Sequence, residues 1–372
     1  MPLTSTLIPT IPLAIWLYLF FARGSFWQLR EDTIEPEPLP RWPSVVAIVP
    51  ARNEAETIAR SVTSLVHQDY PGEFSIVVVD DQSCDGTADL ARKAAQDSSA
   101  GGRVTVQLPE KLPPGWAGKV WAMNEGIAAA RGRAADYFWF ADAEFRAEKH
   151  SLDMASLMAL LEAKTFPERL LIPPFLYFFL MLYPPNWVAD PKAYTAGAAG
   201  GCILLRRTAL ERIGGMEALG SEVIDDCALA RAVKRKGRKI WLGVTRSSMS
   251  LRGSGSFAEI RDMIARTAFT ELRYSFFLLI ATLIALFATY ILPLISFFEG
   301  EGPGWFLAAT AICLMAVSYG VTVRFYNLRF FWALTLTLAA TFYAYATCVS
   351  AVRYWLGRGG QWKGRSQTPQ KT

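Results

Sequence analysis

Ile76-Val-Val-Val-Asp-Asp-Gln-Ser-Cys-Asp-Gly-Thr87 is the stretch that decides the fold. Its apolar, mostly β-branched start reads as a short strand buried on both faces, as in a parallel sheet. Two carboxylates, Asp80 and Asp81, follow at the carboxyl end of that strand. A turn rich in Ser, Asp, Gly and Thr comes next, and a helical pattern begins at Ala88. Open α/β sheets bind ligands in the crevice beyond the carboxyl ends of their strands. Acids placed there accept hydrogen bonds from a base edge or a ribose and repel bare phosphate, which points to a nucleoside.

The same alternation continues on both sides. Ser44–Pro50 reads as a first strand and Asn53–Gln68 as a helix with Asn53 at its N-cap. Phe74–Val79 is the second strand, Asp89–Gln96 a helix and Arg103–Leu108 a third strand. Lys119–Arg131 is a helix and Tyr137–Ala141 a fourth strand. Strands alternating with helices predict a mostly parallel, doubly wound α/β sheet.

Composition adds a membrane. The 372 residues are 52% hydrophobic and only 19% charged, too apolar for an ordinary soluble chain. Residues 275–298, 305–323 and 331–352 are each long enough to cross about 30 Å of hydrocarbon. Leu7–Ala22 is a shorter apolar run; with no basic residue before it and no small-residue cleavage site after it, it reads as a retained anchor. Leu170–Tyr183 is apolar but interrupted by Pro173 and Pro174. It reads as an interfacial segment over 170–185, with a buried pair of core helices as the alternative. The expected organisation is an anchor (1–24), a linker (25–43), a catalytic domain (44–274), a transmembrane region (275–352) and a basic tail (353–372).

The net charge of +5 is placed beside the apolar segments, at Arg23, Arg30, Arg261, Arg266, Arg273, Arg324 and Arg329. By the positive-inside rule the large domain faces the cytoplasm and the loop 299–304 faces out. Four full crossings would put the basic tail outside, so the last segment is re-entrant or one span is miscounted. The basic residues suit lipid headgroups, and no aromatic-basic nucleic-acid motif is present. The five cysteines are scattered without a CxxC pair, and two histidines cannot build a histidine-based metal site.

Several strand ends carry acids. The first strand ends in Val49-Pro-Ala-Arg-Asn-Glu54, the second in Asp80-Asp81 and the fourth in Asp142-Ala-Glu144. Any one alone is as readily a turn or cap residue. Together they indicate a site. Asp142 and Glu144 offer hard oxygen ligands suited to Mg²⁺ or Mn²⁺. Lys119 follows Gly115-Trp-Ala-Gly118 at a helix start, where dipole, backbone N–H groups and ammonium suit a phosphate; Asn124 lies about a turn later. The small-residue loop Thr195–Gly201, with Gly200 and Gly201 at its end, allows close backbone approach to an acceptor. Asp225 or Asp226 is either the N-cap of a helix over Cys227–Lys236 or a general base whose pKa is modestly raised. Arg266 is a topogenic charge or a diphosphate clamp.

In this order, Val49–Glu54, Val79–Thr87, Gly118-Lys119 with Asn124-Glu-Gly126, Asp142-Ala-Glu144, the glycine loop at 197–201 and Asp225-Asp226 before a basic helix ending in Gly237 resemble the family 2 glycosyltransferases of the GT-A fold. The resemblance covers residues 44 to about 274. The whole chain, including Asp225-Asp-Cys-Ala-Leu229 and Trp362-Lys-Gly-Arg365, looks like the bacterial hopene-associated membrane glycosyltransferases. The resemblance implies that Pro50, Arg52 and Glu54 line a nucleoside pocket, with Asp80 or Asp81 on the base and ribose. It puts Lys119 near the diphosphate, Asp142 and Glu144 at the metal and Asp226 at the base position. It implies inverting transfer from a nucleotide-sugar, a UDP-sugar, to a hydroxyl of a membrane lipid such as a hopanoid or polyprenoid. The setting it implies is the bacterial inner membrane, with the catalytic domain cytosolic and several passes through the bilayer.

Two features depart from the family pattern. The metal motif reads Asp-x-Glu, and the base motif reads Asp-Asp where Glu-Asp is commoner. The Arg-Trp motif of processive relatives is not intact; Met263–Thr267 and Thr270–Tyr274 are its nearest echoes. A processive polysaccharide synthase and a catalytically inactive scaffold are the rival readings.

Overall fold

The computed structural model describes residues 4–29, 41–98, 101–140, 152–220, 222, 224–250, 253, 255–357, 361–362 and 365–366. They form two compact units. One comprises residues 31–160, 188–252 and 360–372; the other comprises 1–30, 161–187 and 253–359.

The first unit is an α/β sheet domain. In chain order it contains, after a helix α1 (Thr4–Leu17) that belongs to the other unit, β1 (Val45–Ala51), α2 (Ile58–Val66), β2 (Phe74–Asp80), α3 (Thr87–Gln96), β3 (Val104–Gln107), α4 (Gly118–Ala129), β4 (Tyr137–Phe140) and β5 (Met154–Leu160). After two further helices, α5 (Phe166–Leu182) and α6 (Pro185–Ala189), come β6 (Ile203–Arg206), α7 (Arg207–Ile213), α8 (Asp225–Arg235) and β7 (Ile240–Met249). The strand order is β3-β2-β1-β4-β6-β5-β7. β1 pairs in parallel with β2 and β4, and β2 with β3. β6 runs antiparallel to both β4 and β5, and β5 is parallel to β7. The sheet is therefore mixed but mostly parallel.

Burial explains why β1 and β2 read as continuous apolar runs. α2 and α3 cover one face, packing Ile58, Val62, Leu65, Ala91 and Ala95 on Val45, Ala47, Ile76 and Val78. α4 covers the other. Its Gly126 faces Ile48 and Val79, and a Cβ there would lie 2.5 Å from Ile48 Cγ2. Helix and sheet approach this closely because that position carries no side chain.

The first four strands lie where the sequence places them, shifted by a residue or so. The helix expected from Asn53 instead starts at Ile58. Asn53 adopts a left-handed φ of 49° and its side-chain oxygen accepts the Cys84 N–H at 3.1 Å, so it serves the neighbouring turn and not a helix end. β5 and β7 escape the sequence reading. Met154-Ala-Ser-Leu-Met-Ala-Leu160 lacks the β-branched bias of a strand, and pairing with β6 and β7 overrides its propensity.

The second unit is built from apolar helices. Besides α1 and α5 it holds α9 (Phe257–Ala265), α10 (Ala268–Glu271), α11 (Phe276–Leu286), α12 (Leu292–Glu299), α13 (Pro303–Phe325) and α14 (Leu336–Trp355). Three helical stretches are long and apolar enough to cross a membrane: Phe276–Glu299, Pro303–Phe325 and Phe330–Trp355. Leu7–Ala22 is a shorter apolar helix. α5 runs unbroken through Pro173 and Pro174, with Leu171, Ile172, Leu176 and Tyr177 buried. It is capped by Thr165, which accepts the Glu168 N–H. Residues 161–187 and 253–274, which the sequence reading groups with the 44–274 segment, cluster with these helices.

Away from water, each backbone carbonyl needs an internal partner. Pro293 has no N–H to offer the Thr289 carbonyl one turn earlier. The buried Trp16 indole from α1 supplies the missing donor, at 2.8 Å. Thr337 Oγ1 likewise donates to the Tyr290 carbonyl at 3.0 Å. These bonds tie α1, α14 and the Phe287–Ile291 turn together.

Replacing Gly126 with valine should destabilise the sheet unit by about 2 kcal/mol, since the added atoms meet β1 and β2. A thermal unfolding midpoint equal to that of the wild type would contradict this packing.

Candidate active site

The ends of β1 and β2 lie side by side, with Ala51 opposite Asp80. The loops that follow are stitched together by side chains. Ser83 Oγ donates to Asp80 Oδ1 and accepts the Asn53 N–H at 2.9 Å. Thr87 Oγ1 repeats the pattern, donating to Asp85 Oδ1 at 2.5 Å and accepting the Glu54 N–H at 2.8 Å. The Ala55 N–H reaches Asp85 Oδ2 at 3.0 Å, and these bonds hold the Asp85 carboxyl below its ordinary pKa. Arg52 packs on Asp81, with Nη1 3.5 Å from Oδ2 and a bond to the Asp81 carbonyl. Asp80 and Asp81 are both buried, at 3% and 1% exposure. Each is thus spoken for by its own loop: Asp80 orders the Ser83 turn and Asp81 orients Arg52. Gln82 and Gly86 take left-handed φ of 53° and 85°, which let the chain turn so sharply between strand and helix.

A second cluster forms where α4 and α8 begin. α4 starts at Gly118, so Lys119 lies in its first turn. The preceding Ala117 N–H donates to the Gly220 carbonyl at 2.6 Å, and Trp116 packs against Gly220, fixing the approach to that helix. α8 starts at Asp225 with Ile224 at its N-cap, so both aspartates lie inside the first helical turn. The capping role the sequence allowed them is not the one they play. Helix polarity favours carboxylates there. Lys119 Nζ lies 2.8 Å from Asp225 Oδ2. Asp226 Oδ1 accepts the Cys227 N–H at 2.8 Å, and the Gly200 backbone lies against the same carboxyl. A Cβ on Gly200 would sit 2.8 Å from Asp226 Oδ2 and 3.2 Å from Lys119 Nζ.

Desolvation pushes the Asp226 pKa up to about 6, helped by the neighbouring Asp225 charge and opposed by Lys119 and the Cys227 N–H. A carboxylate with this pKa is mostly ionised near neutrality and still basic enough to take a proton from a hydroxyl. Lys119 and the N-terminus of α4 present positive charge, which suits an anion. Gly200 precedes β6, whose first residue Ile203 is opposite Phe140 at the end of β4. The cluster therefore lies at the carboxyl edge of β1, β2 and β4, where α/β sheets hold ligands.

The structure brings Lys119, Asp225, Asp226 and Gly200 into one group, and places Arg52, Asp80 and Asp81 on the adjoining strand ends. Gly201 is exposed beside Gly200. Pro50 lies on β1, Asn124 in the second turn of α4 and Glu54 on the stitched loop. Arg266 follows α9 in the helical unit. Asp142 and Glu144 lie outside the described residues. Among the described residues no group of three or more His, Cys, Asp and Glu side chains could hold a metal ion. Ser83, Thr87 and Ser156 escape the sequence reading. The hydroxyl spacing Ser83…Thr87 was visible as a turn, but not which loop it would bind.

Residues 46–158 match the family model of glycosyl transferase family 2, and residues 184–367 match that of glycosyl transferase family 21. Glycosyltransferase AglE of Haloferax volcanii is 33% identical over 91 residues, 24% of this chain. The match spans 28% of that relative's length. Among solved structures, the mannosyltransferase PcManGT from Pyrobaculum calidifontis, in complex with GDP-Man and Mn²⁺, superposes with a TM-score of 0.52 at 18% identity. That likeness covers 93% of this chain and 99% of that one, and at this identity it speaks for the fold alone. The chain has the GT-A fold, with a glycosyl transferase family 2 match over residues 46–158 and a family 21 match over residues 184–367. The family 21 match over the C-terminal part was outside the sequence expectation, which named family 2 only.

Because folding raises the Asp226 pKa above its ordinary 3.8, the folded state binds that proton more tightly than the unfolded chain. Stability from this group is complete below 3.8 and is lost as pH rises through about 6. Asp226→Asn should flatten that fall in a thermal denaturation series. An unchanged slope would contradict the raised pKa.

Proposed function

We propose that the chain is a membrane-bound inverting glycosyltransferase that moves one sugar from a nucleotide-sugar, a UDP-sugar, to a hydroxyl of a membrane lipid, a hopanoid or other polyprenoid. The observation that carries this reading is the Asp226 carboxyl, raised to about 6 and set beside Lys119 and the Gly200 backbone at the ligand-binding edge of the sheet.

In the proposed step Asp226 Oδ2 takes the proton from the acceptor hydroxyl. The oxygen attacks the anomeric carbon, the bond to the diphosphate breaks, and the nucleoside diphosphate leaves with its electron pair. Lys119 and the α4 N-terminus stabilise charge developing on the leaving group. Asp225 holds the Lys119 ammonium in place through their 2.8 Å ion pair. Pro50, Arg52, Glu54, Asp80 and Asp81 form the nucleoside side, with the two buried aspartates ordering the loops and Arg52 more than reaching for the base themselves. Asn124 completes the donor set. Gly200 and Gly201 leave room for the acceptor.

Asp142-Ala-Glu144 follows β4 closely in sequence, and its hard oxygen donors suit a divalent cation. Mg²⁺ or Mn²⁺ held there would shield diphosphate charge. The three apolar helical stretches support a lipid acceptor, because an acceptor dissolved in the bilayer needs an enzyme that stays there. The placement of arginines beside those stretches supports a multi-pass protein of the bacterial inner membrane with its catalytic unit cytosolic.

Asp226→Asn should abolish sugar transfer while leaving nucleotide binding within about twofold, since only the proton acceptor is lost. In the wild type, kcat/KM should rise with pH along an acid limb near 6. Undiminished turnover by the Asn variant would remove Asp226 from the reaction.

A further inference from the structure

The amino edge of the sheet lies opposite the edge that carries Lys119 and Asp226, and it gathers positive charge. β4 begins there at Tyr137, β5 at Met154 and β7 at Ile240, while the antiparallel β6 ends there at Arg206. The turn from α8 into β7 reads Lys236-Gly-Arg-Lys239. Topology therefore brings Arg206 and Arg238, distant in sequence, to neighbouring strand ends. Arg207, Arg235, Lys236 and Lys239 are exposed around them.

Asp153, just ahead of β5 and 9% exposed, ties these ends together. Its N–H donates to the Lys239 carbonyl at 3.0 Å, and its own carbonyl accepts the Arg206 N–H at 2.9 Å. Its Oδ2 accepts the Lys239 N–H at 3.1 Å. Both guanidiniums face the other oxygen, Oδ1, with Arg206 Nε at 3.9 Å and Arg238 Nη1 at 3.8 Å. A charge-assisted N–H···O bond closes to about 2.7–2.9 Å, so both contacts stop short of one. Arg206 also gives an N–H to the Leu152 carbonyl at 3.3 Å and lies over the Tyr137 ring, 4.9 Å from its centroid. Arg238 Nε is buried with no hydrogen-bond partner among the described residues. A buried donor left in that state is costly.

We propose that Arg206 and Arg238, held in place by Asp153, form a binding site for a phosphate group, separate from the candidate active site. Two guanidiniums against one carboxylate leave a net positive charge. The cations face outward, their side chains 34% and 30% exposed, while the Asp153 side chain lies beneath at 12%. A tetrahedral oxyanion accepts hydrogen bonds in several directions at once, and the planar fork of arginine suits it. The exposed basic residues nearby add attraction that salt screens. The phosphate belongs to a soluble molecule or to a lipid headgroup, and the site does not depend on the role given to Asp226.

The test follows the thermal midpoint of the full-length protein in neutral detergent, without divalent cations and at constant ionic strength. Two probes separate the sources: inorganic pyrophosphate, and mixed micelles in which phosphatidic acid replaces phosphatidylcholine. A ligand that binds the folded state raises the midpoint in proportion to its saturation. Pyrophosphate should do so if the ligand is soluble, and phosphatidic acid alone if it is a lipid headgroup. For the active probe, Arg238→Met should raise the half-saturating concentration about tenfold or more. Arg235→Met, which removes an equal charge close by, should change it less than about twofold. Lys119→Met should leave it as in the wild type. If Arg238→Met does not fold, Arg206→Lys, which keeps the charge and loses the fork, is read the same way. No rise with either probe, a rise that survives Arg238→Met, or one abolished by Lys119→Met overturns the proposal.

Discussion

Two carboxylates side by side at the start of a helix repel each other, and the local structure is organised around that repulsion. Asp225 is neutralised by Lys119 at 2.8 Å. Asp226 has no ion pair of its own at that distance among the described residues and relies on the Cys227 N–H, with the Gly200 backbone beside it. The division of labour separates their roles. One acid anchors the Lys119 ammonium; in the proposed reaction that cation faces the leaving group and the other acid takes the proton. The arrangement requires α4 to begin where it does, α8 to begin at Asp225, and residue 200 to lack a side chain.

Much of this was legible in the sequence because it rests on local rules. Val45–Ala51 and Ile76–Val79 are apolar throughout since both faces of the sheet are covered, and the acids that follow stand at one edge by topology. Lys119, Gly200, Asp225 and Asp226 could each be named, but not that they meet: 106 residues separate Lys119 from Asp225 in the numbering, and their contact depends on how the antiparallel β6 returns across the sheet. Hydroxyl contacts were equally invisible. Ser83 and Thr87 read as turn residues, and which backbone N–H groups they accept depends on the left-handed bend at Asn53. The misplaced start of α2 has the same origin, since a side chain suited to capping was drawn into a tertiary bond. β5 was lost because strand pairing there overrides a composition that favours no strand.

The helical unit obeys a different economy. Its side chains are mostly apolar, so the costly groups are backbone carbonyls exposed by proline or by a helix end. Trp16 serves Thr289 opposite Pro293, and Arg23 serves Met181 near the end of α5 while its guanidinium lies 4.8 Å over the Trp187 ring. α1 thus contributes specific hydrogen bonds as well as apolar surface, and the unit includes it as a structural member. Periodicity reveals an apolar helix, but not which carbonyl it repairs.

The central claim is that the paired aspartates transfer a single sugar to a lipid dissolved in the bilayer. The most direct measurement is mass analysis of the lipid products formed when membranes containing the protein are supplied with radiolabelled nucleotide-sugars. The account predicts a labelled lipid heavier than its acceptor by one sugar residue. A ladder of products bearing many sugars, or label released only as free sugar, would contradict it.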